Sequence, residues 1–366
     1  MCESTTMNNG RMDNARMNNS QKLSKSLRPV VLAPMAGGPS TPRLAAAVAA
    51  AGGLPFLAAG YLSPEKLQAD ITELESYLER ASAELFGVNL FAPDPRGQGC
   101  DAAVYSRYRA RVLEFSGASP ELLPVEPIWS DDAFDEKLEI VCASAASFVS
   151  FTFAHPAAAV VERVHAAGKL VIFYATSKPG IDAIVASDAD VIGIQGPNAG
   201  GHRATVFGVD DDSNESVLEL VEYARGISRK PIIAGGGVSG AADVRNLLRA
   251  GATGVQVGTL FLNAQEAGTK QTHRDALEEF RGRDTVITRA FTGRPARTIE
   301  NRFSAALSDS APAFYPQLHF LTAGLRKKAN ERGDGENLNL WAGTWFAHAK
   351  AEPAADIVGR LLAARD

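Results

Sequence analysis

Residues able to bind or protonate a ligand are gathered in one glycine-rich stretch, Gln195-Gly196-Pro197-Asn198-Ala199-Gly200-Gly201-His202-Arg203. It follows a β-branched apolar run, so it is predicted to be the loop after a strand. The Gln195 amide can donate and accept hydrogen bonds, and Arg203 supplies cationic donors. His202 could be a general base, a donor to an anion or a residue facing solvent, and Arg203 could also be solvated. The glycines permit a turn around a ligand.

Two further glycine turns indicate a phosphate site. Ile232-Ile233-Ala234-Gly235-Gly236-Gly237 and Gly254-Val255-Gln256-Val257-Gly258-Thr259 each read as a strand that stops at glycine before a helix start. Right-handed crossovers place both turns at the same edge of a parallel sheet. Glycine lets the backbone approach a ligand closely, and free N–H groups with the helix dipole favour a phosphate. The alternative is that these glycines serve packing alone.

Four other residues stand at or just after predicted strand ends. Met35 could pack against a planar ring or could be an ordinary core residue. Asn89 interrupts an apolar run and needs a partner, either a ligand or a neighbouring backbone group. Thr152 lies on the predicted fourth strand and His155 lies just beyond it, and both are candidate polar groups at the sheet edge.

Eight short apolar runs, most of them followed by helical spacing, must position these residues. They predict an α/β fold, a (β/α)8 TIM barrel, whose ligand sites lie at the carboxyl ends of the strands. An open doubly wound sheet is the alternative, but the first unit lacks its Gly-x-Gly-x-x-Gly turn. The predicted strands are residues 30–34, 54–59, 85–91, 148–153, 170–176, 191–195, 232–235 and 255–258.

The remaining stretches predict the domain organisation. Residues 1–27 are rich in Asn, Ser, Met and charge without apolar periodicity, so we expect a disordered tail. Residues 28–268 should form the barrel, interrupted by an insertion at 92–147. Residues 269–366 follow the last strand and should form an additional, mostly helical cap or substrate region over the barrel mouth.

Composition excludes several classes of function. With 45% hydrophobic and 22% charged residues and a net charge of −5, the chain is typical of a globular protein, and nucleic acid is not expected as a partner. No apolar run reaches membrane-spanning length. Cys2, Cys100 and Cys142 are scattered, which predicts reduced thiols in a cytoplasmic protein.

Several motifs of known chemistry are also missing. The six histidines share no metal-ligand spacing with Cys, Asp or Glu, so no metal is expected. Neither a Walker loop nor a Gly-x-Ser-x-Gly elbow occurs. A phosphate grip without these motifs favours a tightly held phosphorylated cofactor over nucleotide hydrolysis.

Together these motifs resemble the nitronate monooxygenases, once called 2-nitropropane dioxygenases, a family of FMN-dependent (β/α)8 enzymes. The resemblance extends from about Val30 to Gly343 and includes the glycine-rich loop and both glycine turns described above. It is also carried by Ala33-Pro34-Met35-Ala36-Gly37-Gly38, Gly87-Val88-Asn89-Leu90-Phe91, Thr288-Arg289-Ala290-Phe291-Thr292-Gly293-Arg294-Pro295-Ala296-Arg297 and Leu340-Trp341-Ala342-Gly343.

The resemblance implies oxidation of small alkyl nitronates, with O2 as electron acceptor, to a carbonyl compound and nitrite. His202 would be a catalytic residue, and the glycines with Thr259 would hold the phosphate. A homodimer is one option for the assembly. The FMN contacts implied are Met35, Asn89, Gln195, Gly200, Gly201, Gly236, Gly237, Gln256, Val257, Gly258 and Thr259.

One position departs from the family pattern. Its best-characterised branch has a catalytic histidine where this chain has Thr152, in Ser150-Phe151-Thr152-Phe153. A threonine is not a general base near neutral pH without help, although it can donate a hydrogen bond. His155 could take the base's place. We therefore expect the preformed nitronate to be a better substrate than the neutral nitroalkane.

Other activities remain open from the sequence. Flavin-dependent enoyl-acyl-carrier-protein reductases share the barrel and a similar Ala-Gly-Gly-His loop, but they need a nicotinamide donor. A flavin-dependent quinone reductase is related to them. A flavoprotein that only binds or senses is a further alternative, suggested by Thr152.

Overall fold

The computed structural model describes residues 27–81, 85–94, 99–206 and 213–363. The predicted N-terminal tail therefore lies outside the described residues, apart from Leu27. In chain order the described strands are β1 Val30–Leu32, β2 Phe56–Ala58, β3 Gly87–Phe91, β4 Phe148–Thr152, β5 Leu170–Ala175, β6 Val191–Gln195, β7 Gly201–His202, β8 Ile232–Gly235, β9 Gly254–Val257, β10 Thr285–Thr288 and β11 Ala296–Ile299.

The described α-helices surround and cover these strands. They are α1 Pro42–Ala50, α2 Pro64–Ala81, α3 Ala102–Ser116, α4 Phe134–Ala143, α5 Ala158–Ala166, α6 Lys178–Ala186, α7 Val217–Ile227, α8 Ala241–Arg249, α9 Gln271–Glu279, α10 Arg302–Leu307, α11 Gln317–Glu331 and α12 Ala354–Leu362.

Eight parallel strands form the barrel in the order β1-β9-β8-β6-β5-β4-β3-β2. A bridge between Val31 and Leu54 joins the first strand to the segment before β2 and brings the two edges together. The predicted α/β class and (β/α)8 barrel are confirmed. Alternate side chains point inward, as the period of two along a strand requires. The interior below the mouth is filled by large apolar side chains that include Val31, Phe56, Phe148 and Ile172.

Local sequence explains where the helices begin. The Thr41 hydroxyl accepts a hydrogen bond from the Leu44 amide at 3.0 Å, and Pro42 occupies the first turn of α1, where its missing N–H costs nothing. Ser216 and Glu219 form a reciprocal capping box that begins α7. In chain order α1 comes after barrel strand β1 and α7 after barrel strand β6, so each helix returns along the outside of the sheet.

The region after β9 contains a β-hairpin besides its helices. Residues 285–288 and 296–299 form a β-hairpin, and β7 joins it to make an antiparallel sheet in the order β10-β11-β7. Helices α9, α10 and α11 also lie in this region. The hairpin was missed because its strands hold only short apolar alternation and depend on pairing with the barrel loop.

The last helix packs on the barrel. Helix α12 contains buried Ile357, Val358 and Leu361, which belong to the core between the barrel strands and helices. Its hydrophobic face packs back onto the barrel wall rather than over the mouth. In the insertion, α4 packs into the same core, whereas Tyr108 of α3 donates a hydrogen bond to Ala290 O at 2.7 Å and thus contacts the cap.

Candidate active site

A cavity of about 370 Å³, here called the barrel-mouth cavity, lies at the carboxyl ends of the barrel strands. This is the face at which barrels of this class bind ligands. Of the three predicted catalytic residues, His202 and Thr152 line it and His155 does not. Every predicted cofactor residue lines it: Met35, Asn89, Gln195, Gly200, Gly201, Gly236, Gly237, Gln256, Val257, Gly258 and Thr259.

Glycine is required at the cradle formed by the turns after β6 and β8. Gly236 and Gly237 have φ of 122° and 79°, a region that residues with a Cβ rarely adopt. A Cβ on Gly200 would lie 2.5 Å from the backbone of Ala342 and Gly343. The Gly343 amide donates to Thr259 Oγ1 at 2.9 Å, which leaves the hydroxyl proton of Thr259 able to donate elsewhere. The cradle is therefore a close-packed backbone surface.

The loop after β6 is fixed by hydrogen bonds rather than left mobile around a ligand. Gln195 uses both ends of its amide on this loop, donating to His202 O at 2.9 Å and accepting from Ala204 N at 2.9 Å. Arg297 donates to Pro197 O from Nε and Nη2, at 3.0 and 2.9 Å. Gln195 lines the cavity, but its amide positions His202.

Arg203 does not supply the exposed cation that its loop position suggested. Its side chain is fully buried, and its guanidinium donates to Gly196 O at 2.6 Å. It holds the same loop from beneath. The cations that line the cavity are instead Lys270 and Arg326, and no Asp or Glu occurs among the described lining residues.

Arg326 is held in the cavity wall by neutral groups. Its guanidinium donates to Thr322 Oγ1 at 3.1 Å and to His319 O at 2.7 Å. Among the described residues it forms no ion pair. Burial lowers the pKa of Arg326 to about 10, so the group stays cationic at neutral pH. Burial also lowers the pKa of Lys270, and the nearby Arg326 charge adds to that effect.

His202 is a neutral histidine at the centre of an aromatic cage. Its Nε2 lies 2.9 Å from Thr292 Oγ1. The rings of Phe153, Tyr315 and Trp341 approach it with centroids 5.3 to 5.8 Å away. Burial lowers the pKa of His202 to about 3, and the Arg294 and Arg326 charges contribute in the same direction. A group with so low a pKa is a weak general base at neutral pH.

The other two histidines of the cavity are similar. Burial lowers the pKa of His273 to about 4, with smaller contributions from Arg274 and Lys270. Burial likewise lowers the pKa of His319 well below its ordinary value. The His319 ring stacks on Tyr61 at 4.1 Å with the planes 3° apart. The described lining therefore offers cations and neutral imidazoles.

Thr152 is tied to Asn89. The Asn89 amide nitrogen donates to Thr152 Oγ1 at 3.0 Å and to Ser150 Oγ at 2.8 Å. Asn89 was predicted to bind either a ligand or a neighbouring backbone group; it lines the cavity and donates to these two hydroxyls. This pairing orients the Thr152 hydroxyl at the cavity without providing a base.

His155 lies on the other side of the β5 strand. Its ring stacks on Phe173 at 4.6 Å, and its Nε2 lies 3.1 Å from Tyr174 O. Phe173 belongs to the core between strands and helices, whereas Tyr174 faces the barrel interior. His155 is accordingly not among the residues that line the cavity.

Sequence reasoning missed the side chains that the cap and the ends of three barrel strands, β2, β3 and β4, contribute. They come from separate segments, and only His319, Thr322 and Arg326 carried a usable signal: polar residues spaced by three and four on one face of a helix. The missed lining residues are Tyr61, Phe91, Phe153, Lys270, His273, Thr292, His319, Arg326, Trp341 and Trp345.

The described residues contain no group of three or more His, Cys, Asp or Glu placed to hold a metal ion. None of the helices in the described ranges has both the length and the apolar character to cross a membrane.

Comparison with known proteins places the chain in a family. The family model for nitronate monooxygenase matches residues 19–364. A probable nitronate monooxygenase of Staphylococcus aureus (strain Newman) is 32% identical over 345 residues, covering 91% of this chain and 93% of that protein. A nitroalkane oxidase from Streptomyces ansochromogenes superposes with a TM-score of 0.83 at 36% identity, over 94% of this chain and 99% of that one.

A more distant structure shares the fold. FabK from Thermotoga maritima superposes with a TM-score of 0.71 at 22% identity, over 94% of this chain and 95% of that one. At this identity the likeness supports the barrel architecture alone. The family model and the relative of 32% identity both extend along nearly the whole chain: this protein belongs to the nitronate monooxygenase family.

Proposed function

We propose that this protein holds FMN in the barrel-mouth cavity and oxidises alkyl nitronates with O2 to a carbonyl compound and nitrite. One observation carries the proposal: Lys270 and Arg326 line a cavity whose described lining contains no acidic residue. A positive, partly desolvated cavity favours anions strongly. Both the cofactor phosphate and a nitronate are anions, and the family's relatives are named for nitronate chemistry.

The cradle fits the phosphate of such a cofactor. The glycines at 200, 236 and 237 leave no room for side chains and expose backbone to the cavity. Gly237, Gly258 and the Thr259 hydroxyl would hold the phosphate, and Met35, beside Gly258, would pack against the ring system. When bound, the flavin supplies the redox chemistry, accepting electrons from the substrate and returning them to O2.

The chain's own residues favour a preformed nitronate over a neutral nitroalkane. Removal of a proton from carbon needs a general base with a suitable pKa. Each histidine that lines the cavity has a lowered pKa, and Thr152 is a hydrogen-bonded hydroxyl. Arg326 and Lys270 would bind and orient the anion, and the rings around His202 would exclude water.

An anaerobic spectrum tests this function. Purified yellow protein is mixed without O2 with propionate 3-nitronate, and with nitroethane either neutral or as its nitronate at pH 7, before the two forms interconvert. We expect bleaching of the flavin by the nitronates and a slower reaction with neutral nitroethane. Equal rates for both forms of nitroethane would contradict the inference that the cavity lacks a general base for the neutral nitroalkane.

A spectrum unchanged by every nitronate would contradict the proposed function. The next assay would then be NAD(P)H oxidation with an enoyl thioester or a quinone, the two reductase alternatives. A colourless preparation that takes up no FMN in excess would contradict the cofactor assignment itself. We further propose a cytoplasmic protein, with a homodimer as the assembly to be tested by light scattering.

A further inference from the structure

A second cavity, of about 270 Å³, adjoins the barrel-mouth cavity. The two cavities share three lining residues, Tyr61, Phe91 and Phe153. These rings contact one another, with centroids 5.1 Å apart for Tyr61 and Phe91 and 4.6 Å apart for Phe91 and Phe153. A single layer of aromatic side chains therefore separates the cavities, and displacement of one ring would join them.

The second cavity differs from the first in chemistry. Beyond the shared rings it is lined by further large apolar groups, including Trp129, Pro316 and Phe320. Arg294 is its cation, and its guanidinium lies over the Phe153 ring at 4.2 Å. Three aspartates, at positions 94, 131 and 132, also line it. Anions are thus favoured in the first cavity, whereas neutral apolar groups fit the second.

The wall between the cavities is built on unusual backbone. Tyr61 and Phe153 have φ of 68° and 84°. Side chains with a Cβ rarely adopt this region, and such residues persist only where their surroundings hold them. Strain of this kind is often found at ligand sites. The strained backbone at Tyr61 and Phe153 therefore indicates that this wall has a role in ligand binding as well as in packing.

A buried ion pair holds Tyr61 in this conformation. The Tyr61 amide donates to Asp132 Oδ1 at 3.0 Å. Asp132 pairs with Lys137 Nζ at 2.7 Å, and the Lys137 side chain is only 1% exposed. Lys137 also donates to Ala59 O, just after β2, at 3.1 Å. The Tyr61 backbone is thereby fixed, whereas its ring is retained by stacking on His319 and by a 3.2 Å contact between the Tyr61 and Tyr315 hydroxyls.

We propose that the second cavity binds the apolar tail, alkyl or aryl, of substrates whose nitronate head occupies the barrel-mouth cavity. Tyr61 is the partition that the tail displaces, since its ring is held by a stack and one hydroxyl contact while its backbone stays fixed. This inference rests on the proposed function and names the substrate class for it: nitronates with a tail long enough to pass the wall.

Chain length should then decide catalytic efficiency. Each methylene removed from water gains about fourfold in binding. Primary alkyl nitronates from two to eight carbons should show little gain at first and a rise in kcat/KM once the tail reaches the second cavity. A cavity of this size limits the rise, so the gain should level off for the longest tails.

Ala313→Trp tests the proposal by filling the second cavity. Ala313 is exposed, lines that cavity and does not line the first. The holoenzyme variant should retain the kcat/KM of ethyl nitronate and lose at least about tenfold with octyl nitronate, the value of two buried methylenes. Ala351→Trp is the matched control, because Ala351 is an exposed loop alanine that lines neither cavity.

A binding measurement separates failure of this inference from failure of the proposed function. Trp129 lines the second cavity, so its emission should shift to shorter wavelength when the alkyl tail of 1-nitrooctane displaces water around it, and not with nitroethane; this shift should vanish in Trp129→Phe. A shift without oxidation of any nitronate would keep the tail site and remove the function. Oxidation with no dependence on chain length and no such shift would overturn the tail site.

Discussion

The cradle and the cap face of the barrel-mouth cavity are built in opposite ways. The cradle consists of backbone at Gly200, Gly236, Gly237 and Gly258, where side chains are excluded by contact or by φ. The cap face consists of side chains, with Arg326 and His319 supplied by helix α11. The cradle would recognise a ligand by shape, and the cap face would recognise it by charge and aromatic surface. The two regions should therefore respond differently to mutation.

The largest effect is expected for Gly200→Ala, which breaks the cradle. Its Cβ would meet the backbone of Ala342 and Gly343 at 2.5 Å, and backbone cannot rotate away. Overpacking of this kind costs about 3 kcal/mol. We expect loss of that stability in urea unfolding and a preparation without bound flavin.

Gly226→Ala is the matched control. Gly226 lies in α7 with open space around its Cβ position. There alanine should increase the free energy of unfolding by about 0.5 to 1 kcal/mol and leave the yellow colour unchanged, because alanine is the better helix former. A stable, fully yellow Gly200→Ala protein would mean that the cradle is not close-packed.

Arg326→Met should break the cap face and spare the cradle. The bound nitronate would lose the buried cation that it pairs with. Loss of one partner of such a pair costs about 2 to 5 kcal/mol, so kcat/KM for a nitronate should fall on the order of 100-fold. Flavin retention should not change. Steady-state kinetics and the visible spectrum measure the two effects separately.

Two variants sharpen that result. Arg326→Lys keeps the charge but loses the fork that reaches Thr322 and His319, so an intermediate kcat/KM is expected. Arg281→Met removes an exposed arginine paired with Glu278 and should change kcat/KM by less than about twofold. A loss below threefold in Arg326→Met would show that the cation does not bind the substrate.

Acid should destabilise the walls of the cavity through its neutral histidines. The folded pKa values of His202 and His273, about 3 and about 4, lie below the unfolded value of about 6.5. The native state therefore binds fewer protons, and the stability from each histidine is fully present above pH 6.5 and declines as pH falls. We expect a loss of about 2 kcal/mol per histidine between pH 6.5 and 5.

His273→Leu tests the assignment of that pH dependence. His273 Nε2 has no hydrogen-bond partner among the described residues, so leucine should not reduce stability at pH 7. Urea unfolding at pH 7 and pH 5 measures how far the free energy of unfolding falls with acid. That fall should be smaller in the variant by the contribution of one histidine. An unchanged pH slope would show that His273 is not buried as a neutral group.

The smallest effect is expected for His155→Phe. The ring stack on Phe173 is kept, and no cavity contact is lost. We expect kcat/KM for a nitronate to change by less than about twofold, as is usual away from a site. A loss above tenfold would restore His155 as a catalytic residue, and Thr152→Val serves as the comparison at the cavity.

Prediction from the sequence succeeded where a local signal was enough. The glycine turns at 235–237 and 254–259 were identified because tight turns and strand ends leave their mark within a few residues. The same local reasoning misjudged Arg203, which resembles a solvated loop residue until the loop folds over it. It could not separate Thr152 from His155, because three residues after a strand end the chain can turn to either side of the sheet.

The sequence by itself determined the barrel, its turns and the glycine cradle, because alternating apolar runs, caps and glycines act over short distances. Only the tertiary structure decided the charge and the walls of the cavity. Arg326, Tyr61 and Phe153 meet there because distant segments pack together, and burial then sets the protonation of the histidines beside them. Desolvation and contact between segments have no signature in any single stretch of chain.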